Sequence, residues 1–151
     1  MSGPIASLSA VFESLLNDSE AEVRAAAASH LSQVCLCLPK SFVISKVLPT
    51  AQRLVQDSSE FVRAFFAGEI TQISPLLGRD DSVTLLLPVL LTLLRDEVSE
   101  VRLNVIASLD AVHKVVGVDL LCQALLPAVT YDYYYYYSLL EVIKMFNIQL
   151  I

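Results

Sequence analysis

Asp110 and His113 are side chains that could form part of a catalytic site. They lie three residues apart, so on a helix they share one face, and the carboxylate could orient the imidazole as a general base. A hydrolytic site also needs a nucleophile and an oxyanion loop framed by glycines, and the sequence around these residues supplies neither. A partly exposed helical histidine explains the pair more simply.

Cysteine and histidine residues raise the question of a metal site. Cys35 and Cys37 are separated by one residue, His30 lies five residues before Cys35, and Cys122 is distant. Zinc sites use cysteine pairs spaced as C-x2-C, which this arrangement lacks, so apolar packing is the simpler role for these cysteines. No glycine-rich phosphate loop occurs either. The sequence therefore predicts no enzymatic activity, no cofactor and no metal.

The composition indicates a folded, acidic protein. Of 151 residues, 55% are hydrophobic and 17% are charged, and the net charge of −6 with scattered basic residues argues against nucleic acid as a partner. The longest uncharged stretch, residues 25–39, is shorter than the roughly 18–20 apolar residues that cross a membrane. Three cysteines and an N-terminus without signal-peptide features predict a cytoplasmic or nuclear location.

One short pattern, Asp-x4-Val-Arg, occurs three times at a constant interval of 39 residues. The copies run from Asp18 to Arg24, from Asp57 to Arg63 and from Asp96 to Arg102. A Leu-Pro pair keeps the same step at positions 48–49, 87–88 and 126–127. A fixed period of this length is typical of stacked repeats, which present an extended binding surface and no catalytic pocket.

Each copy of the pattern lies between two predicted helices. The first helices should span residues 42–56 and 82–95, each kinked at its internal proline, and the second helices residues 20–38, 60–77 and 99–116. Asp and Ser should cap the N-termini of the second helices, with a capping box from Ser19 to Glu22. Gly78 and Gly117 should end the helices at 60–77 and 99–116. The fold class is therefore predicted to be all-α, a solenoid of antiparallel helix pairs.

The aspartates and arginines of the pattern are predicted to form a ladder between repeats. The valine should be buried, and the adjacent arginine can reach an aspartate of its own or of the neighbouring repeat with bidentate geometry. The alternative is a capping aspartate and a solvated arginine. The ladder residues are Asp18, Arg24, Asp57, Arg63, Asp96 and Arg102.

Over residues 4–129 these features resemble the HEAT-repeat scaffold (regulatory A) subunits of protein phosphatase 2A. The strict 39-residue step, the aligned Leu-Pro pairs and the runs at residues 20–27 and 94–104 carry the resemblance to the central repeats of that family. It implies a non-enzymatic horseshoe with HEAT repeats at residues 1–39, 40–78 and 79–117, and the first helix of a fourth at residues 118–130.

The resemblance also implies partners. In the family, the turns between paired helices form a ridge where a phosphatase catalytic subunit and a variable regulatory subunit dock, and this chain would be a truncated scaffold that assembles them. The corresponding contact candidates are Asn17, Asp18, Glu20, Gln56, Asp57, Ser58, Arg95, Asp96 and Glu97. The alternative is a transport-type HEAT protein that binds cargo or a small GTPase. Neither interpretation involves nucleic acid or a membrane.

Residues 131–151 depart from the repeat. A fourth pattern would place aspartate at position 135 and Val-Arg at 140–141, but the chain has Tyr135, Leu140 and Glu141, and all six tyrosines lie within residues 131–137. The segment is interpreted as an alternative or misread C-terminus, as a divergent final helix, or as a Tyr-rich binding tail. In a final helix, apolar residues at helical spacing would cover the last repeat, namely Leu139, Ile143, Phe146 and Leu150.

Neither end of the predicted stack carries the polar cap that terminal repeats normally need. We therefore expect exposed apolar surface at the ends, and self-association through it.

Overall fold

The computed structural model describes residues 3–129 and 132–149, and it describes side chains up to Phe146. Within these residues the chain forms eight helices and no strand. This confirms the predicted all-α class. Helix α1 is Pro4–Leu16, α2 is Ala21–Ala28 with Leu31–Leu36, α3 is Lys40–Phe42, Val43–Val47 and Leu48–Leu54, and α4 is Glu60–Ile70, Thr71–Ile73 and Ser74–Leu77. Helix α5 is Arg79–Asp81, Ser82–Leu86 and Leu87–Leu93, α6 is Ser99–Ala107 with Asp110–Val116, α7 is Val118–Val129, and α8 is Tyr133–Gln149.

Helices α3 and α5 accommodate their internal prolines with π-helical turns. Val43–Val47 and Ser82–Leu86 are the π segments, and each ends two residues before the proline. The N–H of Leu48 donates to the carbonyl of Val43, five residues back. A proline ring clashes with the carbonyl four residues earlier in a regular α-helix, and the wider turn relieves that clash. The disturbance predicted at each proline therefore takes the form of a widened turn, and the helix continues through it.

The second helices are capped differently from the prediction, although α4 and α6 begin at the predicted residues, Glu60 and Ser99. The N-cap positions are Glu20, Ser59 and Val98, and no side chain accepts a capping hydrogen bond at any of them. The aspartate two residues earlier accepts the N–H of each of these residues at 2.9 Å, which forms an Asx turn. The capping box predicted from Ser19 to Glu22 is wrong, because the Asx turn delays the helix start by one residue.

Two of the second helices are interrupted where the sequence predicts continuous ones. Helix α2 breaks at residues 29–30 and α6 at residues 108–109. In both, a serine hydroxyl donates to carbonyls of the preceding turn: Ser29 to Ala26 at 2.7 Å, and Ser108 to Asn104 at 2.6 Å. This local bonding competes with the helical hydrogen bonds and explains the breaks. Gly78 and Gly117 end α4 and α6 with φ values of 80° and 85°, a conformation that favours glycine.

The core follows the row of second helices, in which α2 packs on α4 and α4 on α6. The valines of the second and third patterns, Val62 and Val101, are fully buried in it. Val23, which the sequence analysis expected to be buried as well, is only half-buried. It faces an open apolar groove of about 610 Å³ at the first repeat, lined mainly by α1 and α2. We call this the end groove.

The Tyr-rich segment continues the row of helices. Helix α8 packs against α6 and α7, in the position that the second helix of a fourth pair would take. Leu139, Ile143 and Phe146 are buried, and the Phe146 ring stacks on the imidazole of His113 with centroids 4.2 Å apart. This is the arrangement of the divergent final helix, although Leu150 lies outside the described residues. No helix in the described ranges is long and apolar enough to cross a membrane.

If α8 is an integral part of the stack, Leu139→Ala should lower the free energy of unfolding by about 2–5 kcal/mol, since it removes a fully buried side chain and leaves a cavity. Urea unfolding followed by circular dichroism measures the change. Met145→Ala on the same helix is the matched control, because Met145 is exposed, and it should shift stability by less than about 0.5 kcal/mol. Equal, small effects of both substitutions would show that α8 does not contribute to the core.

Candidate functional site

The turns between paired helices come together along one surface, which we call the turn ridge: residues 17–20, 56–59 and 95–98. Hydrogen bonds from one repeat to the next hold neighbouring turns side by side. A shallow groove of about 320 Å³ lies between the second and third turns, lined by Gln56, Thr92, Arg95 and Glu97 among others. The ridge is therefore a continuous polar surface.

Arginines of the repeated pattern connect these turns. Arg24 donates from Nε to Asp57 Oδ2 at 2.8 Å and from Nη2 to Asp57 Oδ1 at 3.0 Å. Arg63 donates to Asp96 in the same bidentate way, at 2.7 and 3.3 Å. The partner is the aspartate of the next repeat in both cases. The arginine's own turn contributes a backbone carbonyl instead, that of Asp18 at 2.8 Å from Arg24 Nη1.

These ion pairs are largely removed from water. The side chains of Arg63 and Asp96 are 11% and 6% exposed, and those of Arg24 and Asp57 are 14% and 9% exposed. Burial by itself would raise the pKa of Asp57, but hydrogen bonds from Arg24 and from the Ser59 N–H outweigh it and lower that pKa. The pair therefore stabilises the fold at neutral pH, and this contribution is lost as the pH falls through the acid range.

The ladder ends differently at its two extremes. Arg102 meets the ring of Tyr135, which occupies the position of the next aspartate, with its guanidinium 4.1 Å from the ring centroid. Arg102 Nε is buried and has no hydrogen-bond partner among the described residues. At the other extreme, the Asp18 carboxylate accepts the Glu20 N–H but no arginine within the described ranges. A cation–π contact thus replaces the ion pair at the last step.

The ladder divides the candidate contact residues into two groups. The aspartates are less accessible, with the carboxylates of Asp57 and Asp96 held in the ladder and that of Asp18 in an Asx turn. The others are exposed and able to reach a partner: Asn17, Glu20, Gln56, Ser58, Arg95 and Glu97.

The residues considered for catalysis or metal binding are not assembled into a site. Asp110 pairs with Lys114 at 2.6 Å, and His113 is buried against Phe146. Burial and the charge of Glu69 raise the pKa of the Cys35 thiol to about 12, so the reactive thiolate is not formed at neutral pH. In the part of the chain that the structure describes, no group of three or more His, Cys, Asp or Glu side chains could hold a metal ion.

Sequence reasoning missed two further features. Glu69 links the first and second repeats by accepting both the N–H and the hydroxyl of Ser32, at 3.0 and 2.5 Å. Phe61 and Phe65 are exposed on the outer face of α4. A comparison of repeats could have found the phenylalanines, because the residues one period away from Phe61 are both glutamates, at positions 22 and 100.

We expect Arg63→Ala to lower the free energy of unfolding by about 2–3 kcal/mol. The expected destabilisation is larger than that from breaking an exposed ion pair, because the substitution leaves the Asp96 carboxylate largely desolvated without its partner. It is smaller than that from breaking a fully buried ion pair. Arg95→Ala removes an exposed arginine from the same ridge and should change stability by less than about 0.5 kcal/mol. Urea titrations of both variants provide the measurement, and similar values for the two would contradict a stabilising ladder.

Comparison with known proteins agrees with this architecture. A family model described as PPP2R1A-like HEAT repeat matches residues 5–78, and a model described as HEAT repeat matches residues 86–116. A search of curated proteins found no match to the chain. The first matched range contains α1 to α4 with the Arg24–Asp57 pair, and the second contains α6 and most of α5. Residues 5–78 thus match PPP2R1A-like HEAT repeats, and residues 86–116 match a HEAT repeat.

Proposed function

We propose that the chain is a non-catalytic scaffold of a serine/threonine protein phosphatase, acting in the cytoplasm or nucleus. In this proposal the turn ridge binds a phosphatase catalytic subunit and a variable regulatory subunit. The match of residues 5–78 to PPP2R1A-like HEAT repeats is the observation that carries the proposal. An extended helical stack without an assembled catalytic site in the described residues is the architecture that such a role requires.

The geometry of the ridge supports a docking role. Because the ladder fixes each turn to the next, exposed side chains on successive turns keep constant separations, and a bound partner loses little energy in ordering them. Arg95 and Glu97 at the third turn and Gln56 at the second border one shared groove. We assign the direct contacts to the exposed residues of the ridge and give the ladder aspartates the role of holding the turns.

We also propose that the chain self-associates through the end groove, where another copy would cover the exposed side chains of Leu8, Val11 and Leu15. An exposed apolar surface of this kind is unfavourable in water and marks an interaction site. At the opposite end α8 also exposes large side chains, including Tyr133, Tyr134 and Met145, and we assign the contact to the first repeat because its apolar side chains line an open groove.

Binding to purified phosphatase subunits tests the scaffold role. The double variant Arg95→Glu/Glu97→Arg should weaken binding of the catalytic or regulatory subunit by about tenfold or more, because it inverts the charges that border the groove. Lys144→Glu, a charge reversal on α8 away from the ridge, is the matched control and should leave affinity unchanged. Isothermal titration calorimetry measures each affinity. If neither subunit binds, or if a small GTPase binds instead, the transport-type interpretation replaces this one.

Sedimentation velocity at about tens of micromolar tests self-association. The wild-type chain should sediment faster than a monomer, and Val11→Lys should shift it to the monomer because it places a charge in the apolar groove. Leu36→Lys changes an exposed leucine outside that groove and should not alter sedimentation. A wild-type chain that is monomeric under these conditions would rule out the proposal.

A further inference from the structure

Phe61 and Phe65 form an unusual apolar feature on the outer surface of the second helices. They lie four residues apart on one face of α4, and 63% and 50% of their respective surfaces are exposed. At the position of Phe65, the first repeat carries Ala26 and the third Asn104. The second repeat alone among the three therefore presents large aromatic groups on this face.

The two phenylalanines form one side of a groove of about 480 Å³ between α2 and α4. Small side chains of α2 line the other side, at Ala21, Ala25, Ala26 and Ser29. Small residues on one helix and large ones on the next leave a channel that runs between two neighbouring helices. A third helix can pack into such a channel by inserting a row of its own side chains.

The charges around this groove are of one sign. Glu22 lines it, and Glu60 immediately precedes Phe61 on α4; both are exposed. The segments Ala21–Ala28, Glu60–Ile70 and Ser99–Ala107 carry no basic side chains except the three arginines of the repeated pattern. Arg24 and Arg63 are turned into the ladder and paired there. The groove is thus apolar inside and acidic at its rim.

We propose that this groove, which we call the α2–α4 groove, binds a basic amphipathic helix of a partner protein. Two apolar side chains of that helix enter between the phenylalanine rings and the small residues of α2. Lysine or arginine side chains along its flanks face Glu22 and Glu60. This site adjoins the turn ridge at Ser59, which lines the groove, and it does not depend on the phosphatase role.

The acidic rim selects the class of partner. A second copy paired symmetrically through this groove would bring the same face, with the same glutamates, against it, and like charges in juxtaposition disfavour that pairing. A basic helix is instead attracted to the glutamates at this groove. The aromatic faces add to this preference, because lysine and arginine are attracted to aromatic rings.

Two designed peptides of about 15 residues test the proposal, one an amphipathic leucine/lysine helix and the other its leucine/glutamate counterpart. Fluorescence anisotropy measures the binding of each to the full chain. The leucine/lysine peptide should bind, and the leucine/glutamate peptide should bind at least about tenfold more weakly. Equal binding of both peptides would overturn the proposed charge selection.

Variants locate the binding. Phe61→Ser/Phe65→Ser should weaken the leucine/lysine peptide by at least about tenfold, with thermal unfolding unchanged because both side chains are exposed. Leu36→Ser is the matched control and should leave peptide affinity unchanged, because Leu36 is exposed and lines neither the α2–α4 groove nor the end groove. Unaltered binding by the phenylalanine variant would overturn the proposal. Sedimentation of the same variant tests the alternative occupant. If the phenylalanine variant no longer self-associates but still binds the peptide, the groove binds a second copy and the proposal is overturned.

Discussion

The pairing of each arginine with the aspartate of the next repeat is the constraint on which the rest of the structure depends. Each paired aspartate has two functions: one of its oxygens accepts a backbone N–H and so starts the second helix, and both accept the arginine of the preceding repeat. Because both groups are largely desolvated, either one left alone would be unfavourable. A change in repeat length would separate them, which gives a physical reason for the strict 39-residue step.

The ends of the stack show what happens where this pairing stops. Tyr135 replaces the aspartate and contacts Arg102 through its ring, and apolar residues of α8 cover the third repeat. At the first repeat nothing in the described chain supplies an arginine to Asp18, and the apolar groove beside it stays open. We therefore propose that the surface that joins repeats inside the stack serves for association where it is exposed.

Different residues of the same helix pairs provide two of the three proposed binding surfaces, the turn ridge and the α2–α4 groove. The turn ridge is polar and rigid, since the ladder fixes it, and it suits partners that recognise a fixed array of charges. The α2–α4 groove is apolar with an acidic rim, and it arises from the two phenylalanines of one repeat. A regular stack can thus carry a common surface shared by all repeats and a specific surface that a few substitutions create.

The sequence by itself determined the all-α class and the repeat period, because these depend on spacing along the chain. It could not decide which aspartate each arginine pairs with, because the long arginine side chain can reach both the aspartate of its own repeat and the aspartate of the next repeat. Only the tertiary structure decided that, together with the Asx-turn start of the second helices and the half-exposure of Val23. It also placed α8 on α6 and assembled the α2–α4 groove, because both require residues distant in sequence to be adjacent in space.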